Sequence, residues 1–321
     1  LIWFILWSGS GGYRDDFLEP EIPEKKSMRT DLPADLAELT SRPPVFRLLG
    51  VAEKVHGKHL NHVWKGLAGV PWLDEPAIPV FAKFLPRPTQ IDIELACGLA
   101  SQALRLPVPR PALVIAELED LQSPPASLKD GPIILFGSLF QPPDPFFARK
   151  ADDDALATEF IWQKVCDDEV APKGAAWDEL VANPDRHAQN LLFDGSKWWL
   201  FDHNLALQPL ARLYQTLDKD STQRTIIGHI AKVNQILAQL TERRRADQSV
   251  LAEADRMLRQ GKKLTLLARE VRKWKVDSRI DPIFTISATI IDLIALRLQP
   301  LALYIEQRLD VPAGESLWSN S

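Results

Sequence analysis

Between Leu191 and Phe201 the sequence leaves the chain little choice. Leu191-Leu192-Phe193 is a short apolar run, Asp194-Gly195 is a hairpin-turn dipeptide, and Lys197-Trp198-Trp199-Leu200-Phe201 is a run of strand formers. Folding back at Asp194-Gly195 predicts that Asn190 and Asp202 meet at the open end of the hairpin. Asp185 lies in the loop feeding its first strand, within Asn183-Pro184-Asp185-Arg186-His187-Ala188-Gln189-Asn190. An Asp, an Asn five residues later and a second Asp twelve further on is the spacing of a phosphotransferase site. There one carboxylate takes a hydroxyl proton, while the Asn and the second carboxylate hold the metal on nucleotide phosphates. Asp and Asn are also the commonest turn residues. What lifts the pattern above a turn is the hairpin that joins its two halves.

Upstream, Ile78 to Leu85 reads as a strand with one inserted charge, Lys83. Thr89-Gln90-Ile91-Asp92 then looks like a helix start, with Thr89 as N-cap and Asp92 three residues on. The helix is predicted to run to about Leu106 and to stop at Pro107. Glu94 lies on the face shared by Ile91, Leu95, Gly98 and Leu99. A strand Lys and a Glu near the start of the next helix form the ion pair that orients nucleotide phosphates in kinase-like folds. The plainer alternative is a snorkelling Lys and a solvated Glu.

With these residues in place, Asp185-Arg186-His187-x-x-Asn190 resembles the D-R-H-x-x-N loop of the phosphatidylinositol 3- and 4-kinases, and of the HipA-like kinases that share their fold. Phe81 to Ile115, with its strand Lys, Glu-bearing helix and the following "LASQALRLPVPRPALVI", is similar to the HipA-like pattern. The resemblance spans roughly Val45 to Leu210 by motif. It implies that Asp185 is the catalytic base, with Arg186 and His187 beside it in the loop. It also implies that Asn190 and Asp202 are magnesium ligands and that Lys83, paired with Glu94, binds ATP phosphates. Two departures stand out. The lipid-kinase D-F-G is here Asp202-His203-Asn204, and no compact Gly-rich phosphate loop is obvious. Gly57, Gly66 and Gly69 are candidates for a turn over the phosphates. His187 and His203 are expected to brace the loop by hydrogen bonds.

A chain of 321 residues with 45% hydrophobic and 25% charged residues can bury a sizeable core. Its net charge of −5 argues against a nucleic-acid binder. Cys97 and Cys166 imply no disulfide framework and fit a reducing, cytoplasmic setting. Both fall in apparent helices and read as buried thiols. Leu1 to Trp7 is apolar but too short to span a bilayer. No basic segment precedes it and no initiator Met is present, which suggests a fragment or a misplaced start. His56, His59 and His62 invite a zinc reading, but no Cys or carboxylate completes a site at the usual spacings. No Ser-His-Asp arrangement or G-x-S-x-G elbow appears.

The expected organisation is an α+β, two-lobed protein kinase-like fold. Residues 1–44 form a poorly ordered tail. Residues 45–141 form a nucleotide-binding lobe, a small mixed sheet with one helix. Residues 142–321 form a larger helical lobe that carries the hairpin. Strands are expected at Val45–Val51, Val63–Lys65, Val80–Leu85, Leu113–Ala116 and Ile133–Phe140, with Gln141–Pro145 as a stiff hinge. The helical pattern starts near Asp152-Asp153-Asp154, which favour a helix N-terminus. It includes Ile226, His229, Ile230, Val233, Ile236 and Leu237 at helical spacing. Arg243-Arg244-Arg245 reads as a solvated face. Ile286 to Leu309 is apolar but interrupted by charge and by Pro300, so a pair of core helices is expected rather than a membrane span. The function expected is transfer of the ATP γ-phosphoryl, with Mg2+, to a hydroxyl of a protein Ser or Thr. A small-molecule or lipid kinase, or a nucleotide-binding module acting through a regulatory partner in a toxin–antitoxin-like pair, are the alternatives. A lipid kinase should show a basic or amphipathic membrane face, and none is found.

Overall fold

A computed structural model describes residues 32–55, 61–70, 73, 75–144, 155–243 and 248–310. The chain is mixed α+β, with a sheet lobe followed by a helical lobe. The strands are β1 (Val45–Leu48), β2 (Glu53–Lys54), β3 (Val63–Gly69), β4 (Ile78–Lys83), β5 (Pro111–Ala116) and β6 (Ile133–Leu139). They lie in the order β1-β5-β6-β4-β3-β2, and β1 also pairs with β3, so five strands close into a ring. Only the β1–β5 pairing is parallel. A ring of five strands encloses little space, so its interior is built from small side chains. Ala52, Ala68, Ala82, Ala112 and Ala116 are buried there around Trp64, with Val80, Val114 and Leu135. Trp64 finds a partner for its ring N–H in the Gln122 carbonyl, 2.8 Å away.

Strand alternation decides where Lys83 points. Trp64 pairs with Ala82 inside the ring, so the next residue, Lys83, faces outward beside Phe136. Against that outer face lies α2 (Pro88–Ala103), buried from Ile91 to Ser101. A helix apolar on nearly every side belongs in a core. Its start differs from the expected one. Pro88 takes the first helical position, Arg87 is the N-cap, and Gln90 completes the capping box, so Thr89 is already inside the helix. Proline is favoured at that position because its missing N–H would have had no helical partner. The helix ends at Ala103, three residues before the expected Leu106, and Arg105 turns into the left-handed region (φ 57°).

The helical lobe contains α3 (Ala155–Cys166), α4 (Val170–Leu180), α5 (Leu210–Leu213), α6 (Asp220–Ile227), α7 (Gln235–Glu242), α8 (Gln248–Arg259), α9 (Gly261–Val271), α10 (Asp281–Arg297) and α11 (Leu301–Arg308). Between α4 and α5 lie the hairpin strands β7 (Leu191–Phe193) and β8 (Trp198–Leu200). The α10 helix packs against α2, where the Ser287 hydroxyl donates to the Asp92 carbonyl at 3.2 Å. Arg297, fully buried, reaches back from α10 to the ends of α4 and α6. Its guanidinium donates to the carbonyls of Glu179, Leu180, Ile226, Ile227 and His229. Most of these carbonyls lie in the last turns of α4 and α6, where a helix leaves carbonyls short of internal partners.

Several expectations are corrected. The segment up to residue 44 is not wholly a loose tail. Within it α1 (Ala34–Leu39) buries Leu36, and Asp35 pairs with Lys263 at 2.7 Å and Arg105 at 3.0 Å. The apolar period from Ile226 to Leu237 is not one helix. It is cut at Gly228, and Asn234 starts a new helix by accepting from the Leu237 N–H at 3.1 Å. The break at Pro300 is present, and α10 and α11 meet at 63°. No single described helix is long and apolar enough to cross a membrane. Cys97 and Cys166 are free and buried. Arg243 pairs with Glu159 at 2.5 Å. Leu1–Trp7, His56, Gly57, His59, Asp152–Asp154, Arg244 and Arg245 lie outside the described residues.

The seat of α2 on the sheet depends on one small residue. A Cβ at Gly98 would come within 2.6 Å of the Pro111 Cβ at the head of β5. Gly98→Ala is therefore expected to push the helix off the strand and destabilise the fold by ~1–3 kcal/mol, the usual cost of overpacking. Chemical denaturation of the two proteins side by side measures it, and an unchanged midpoint would mean that the seat is looser than this contact implies.

Candidate active site

The hairpin forms with the register Leu191↔Leu200, Leu192↔Trp199, Phe193↔Trp198. Its turn runs from Asp194 to Lys197. Asp194 donates its N–H to the Lys197 carbonyl at 3.1 Å, and Gly195 takes φ 94°. The Asp194 carboxylate accepts from the Ser196 and Lys197 N–H groups at 2.8 and 2.9 Å and from the Trp199 ring N–H at 2.7 Å. Partial burial pushes the Asp194 carboxyl up, but these donors outweigh it and hold the group well below the usual carboxylate range. The register sets Phe201 opposite Asn190, joined by a 3.3 Å backbone bond. Asp202 follows at once, in the left-handed region at φ 63°, a conformation that Asp tolerates better than most residues.

That turn of the backbone aims Asp202 at the sheet lobe. Its Oδ1 lies 2.7 Å from the Lys83 ammonium, and Lys83 stands 3.6 Å from Glu94 Oε1. Three side chains from β4, α2 and the hairpin thus converge between the lobes. Glu94 is almost wholly buried, and its Oε2 accepts the His203 backbone N–H at 3.0 Å. Burial pushes the Glu94 carboxyl up. The contacts from His203 and the charge of Lys83 more than offset this, so it stays ionised below the usual carboxylate range.

The 185–190 loop joins this triad through the Phe201–Asn190 bond, one residue before Asp202. The half-buried Asp185 accepts the Asn190 amide N–H on its own carbonyl at 2.8 Å, and its backbone N–H donates to Asn183 at 3.2 Å. With its nitrogen so used, Asn190 is left its amide oxygen to present to a cation. Arg186, grouped with Asp185 by sequence, does not reach the cleft. It is fully buried, forks onto Asp178 at 2.9 and 3.0 Å, and donates to the carbonyls of Asn190 (3.0 Å) and Phe201 (2.5 Å). It joins both sides of the hairpin's open end from below. His187, unlike Arg186, does not brace the loop. Its side chain is exposed, with no side-chain hydrogen bond among the described residues.

The bracing expected of His203 has deeper partners than its sequence position suggests. The ring is buried, and Nε2 lies 3.0 Å from both Trp177 Nε1 and Arg186 Nη2. Trp177 and Asp178, both on α4, carry no motif and were not singled out from sequence. The candidate phosphate-loop glycines Gly66 and Gly69 lie within β3 and form no turn. A Cβ at Gly66 would meet Ala52 at 2.8 Å, so its smallness serves packing. His62 stacks on Trp64, and among the described residues no three His, Cys, Asp or Glu side chains assemble as a metal cage.

One buried acid sits two residues before Glu94. Asp92 on α2 accepts the Tyr214 hydroxyl at 2.8 Å. Burial pushes its carboxyl up to about 7, a shift that the Tyr214 hydrogen bond only partly offsets. A carboxyl whose folded value is raised holds its proton in the folded state after the unfolded chain has lost it. Stability should therefore fall as pH rises from near 4 through about 7, by roughly 4 kcal/mol in all. Asp92→Asn keeps an acceptor for Tyr214 and removes the titration. Denaturation at about pH 5 and about pH 8 should show the variant gaining on wild type at the higher pH. Parallel behaviour at both would place Asp92 in a more polar setting.

Fold and site together define a two-lobed α+β protein with a lysine, two carboxylates and an Asp–Asn loop gathered between its lobes. No protein-family model matches the chain, and no curated protein does. Among solved structures it is similar to the Helicobacter pylori proinflammatory kinase CtkA. The two are 14% identical, with 79% of this chain and 98% of that chain covered and a TM-score of 0.43.

Proposed function

We propose that this chain is an ATP-dependent phosphotransferase of HipA-like, protein kinase-like type, which moves the γ-phosphoryl group to a hydroxyl, with a protein Ser or Thr as acceptor. The observation that carries this is the position of Lys83, its ammonium set between Asp202 at 2.7 Å and Glu94 at 3.6 Å beside the Asp185–Asn190 loop. Carboxylates on both sides of one lysine, Glu94 buried and Asp202 partly exposed, hold a cation where phosphate oxygens would lie.

The residues present also fit a magnesium ion. Asp202 already takes a cation, the Lys83 ammonium, on one carboxylate oxygen, and Asn190 can add a neutral oxygen. Both are hard donors of the kind magnesium prefers, and two protein ligands suffice when water and phosphate complete the octahedron. Magnesium bound there with the nucleotide would neutralise charge on the phosphate oxygens. Lys83 would hold the phosphates, with Glu94 fixing the direction of its side chain. Asp185 would receive the proton of the acceptor hydroxyl. In the transfer the acceptor oxygen bonds to the γ-phosphorus while the bond to the bridging oxygen breaks and ADP leaves.

Two variants separate these roles. Asp185→Asn keeps size and hydrogen bonding but cannot accept the proton. Transfer of labelled phosphate from ATP should fall by ~10²–10⁴, with ATP affinity little changed. Equal loss of binding and transfer would assign Asp185 to the metal or to the fold. Asp202→Ala removes the charged ligand and should abolish magnesium-dependent ATP binding, read by calorimetry with and without EDTA. Asn190→Ala should only weaken it. Binding by Asp202→Ala that still responds to magnesium would move the metal site elsewhere. Wild-type protein that binds ATP without transferring phosphate would make the chain a nucleotide-binding module.

A further inference from the structure

We infer that His203 is a positioning residue of this site: its ring and backbone tie Glu94 on α2 to Arg186 under the 185–190 loop, and so set Lys83 and Asp202 against Asp185. The inference rests on the phosphotransferase reading for its consequence, but the geometry behind it is independent of any nucleotide.

His203 is reached by donors from two directions. Trp177 can offer only an N–H, and so can the Arg186 guanidinium. Both lie 3.0 Å from Nε2, so that nitrogen carries the lone pair and the ring proton sits on Nδ1. Nδ1 in turn lies 3.8 Å from Glu94 Oε2, the oxygen that accepts the His203 backbone N–H. A continuous series results: Lys83, Glu94, His203, Arg186, Asp178. It crosses from β4 and α2 to the loop and α4, and apart from Lys83 every member is buried.

The chemistry explains why a histidine stands here. An apolar ring at this position would leave the Trp177 N–H and one Arg186 N–H without their acceptor, and a buried donor left unpaired is costly. It would also remove the ring N–H that faces Glu94 at 3.8 Å, beyond hydrogen-bond distance, and leave only the backbone N–H that bonds it. Histidine combines an acceptor on one edge with a donor on the other, in a flat ring that fits edge-on to Trp177 at 5.9 Å between centroids. Since it follows Asp202 directly, anchoring its ring also anchors the left-handed turn that aims Asp202 at Lys83.

The test uses the full chain. His203→Phe keeps the volume and removes both polar edges. The turnover rate for phosphate transfer should fall about 10–100-fold, the scale seen when groups that orient a metal ligand are lost. His203→Gln offers an oxygen and an amide, and should recover most of the loss. Circular dichroism and melting curves establish that each variant is folded. The decisive readout is a double-mutant cycle of His203→Phe with Glu94→Gln. If the two act through one another, their effects on turnover are less than additive, whereas a merely structural histidine gives additive losses. A second readout needs no activity: the rate at which an acylating reagent modifies Lys83 in nucleotide-free protein, mapped by mass spectrometry. It should change in His203→Phe in the same direction as in Glu94→Gln. If wild type transfers no phosphate while Lys83 reactivity depends on both residues, the positioning role stands and the phosphotransferase reading falls. Additive losses, or folded His203→Phe with wild-type turnover and Lys83 reactivity, would overturn the positioning role.

Discussion

The buried ion pair between Arg186 and Asp178 is the interaction on which the site depends. Neither side chain meets solvent, and together they lie under the loop, both hairpin strands and His203. A buried pair is not in itself a large source of stability, because taking both charges out of water offsets most of their attraction. Its value here is geometric. A planar guanidinium with five N–H donors has a fixed set of directions. By satisfying Asp178, two backbone carbonyls and His203 at once, it allows one arrangement of the hairpin mouth. Losing one partner would leave the other buried and uncompensated, at about 3–5 kcal/mol.

The two lobes approach this problem with different materials. The sheet lobe has a ring lined with alanine, which leaves no room to adjust, and its outer face delivers Lys83 by strict alternation. The helical lobe instead uses long buried cations, Arg186 and Arg297, to gather carbonyls that helix ends and loops leave open. The α2 helix stands between them. Its Gly98 lets it sit against β5, and its Glu94 and Asp92 are carboxylates carried into the core, each with its own hydroxyl, amide or ammonium partner.

What the sequence disclosed follows from how local each signal is. The hairpin was legible because its two strands and its turn lie within a dozen residues, whereas Lys83 read only as a charge inserted in a strand and takes its direction from the pairing of that strand with β3 and β6. The same locality produced the errors. Asp194-Gly195 marks the turn, but the sequence does not show that the Asp194 carboxylate organises it by collecting N–H groups. Thr89 looked like a cap because the pattern of Pro88 at the first helical position, with Gln90 closing back on Arg87, competes with it. Arg186 does fix the loop, as its place beside Asp185 suggests, but its direction is set by partners elsewhere in the chain. One of those partners, Asp178, lies on a helix whose sequence carries no motif. Closure of the ring by a parallel β1–β5 pair is likewise a long-range event with no local trace.

Arg297 has a consequence for the order in which the protein is made. The carbonyls it binds belong to residues 179 to 229, so two earlier helices end on a partner supplied roughly seventy to one hundred and twenty positions later. As the chain leaves the ribosome, those helix ends stay hydrated until α10 emerges and swings back. The ends of those two helices therefore gain this partner only after α10 has been made, and one guanidinium serves them both.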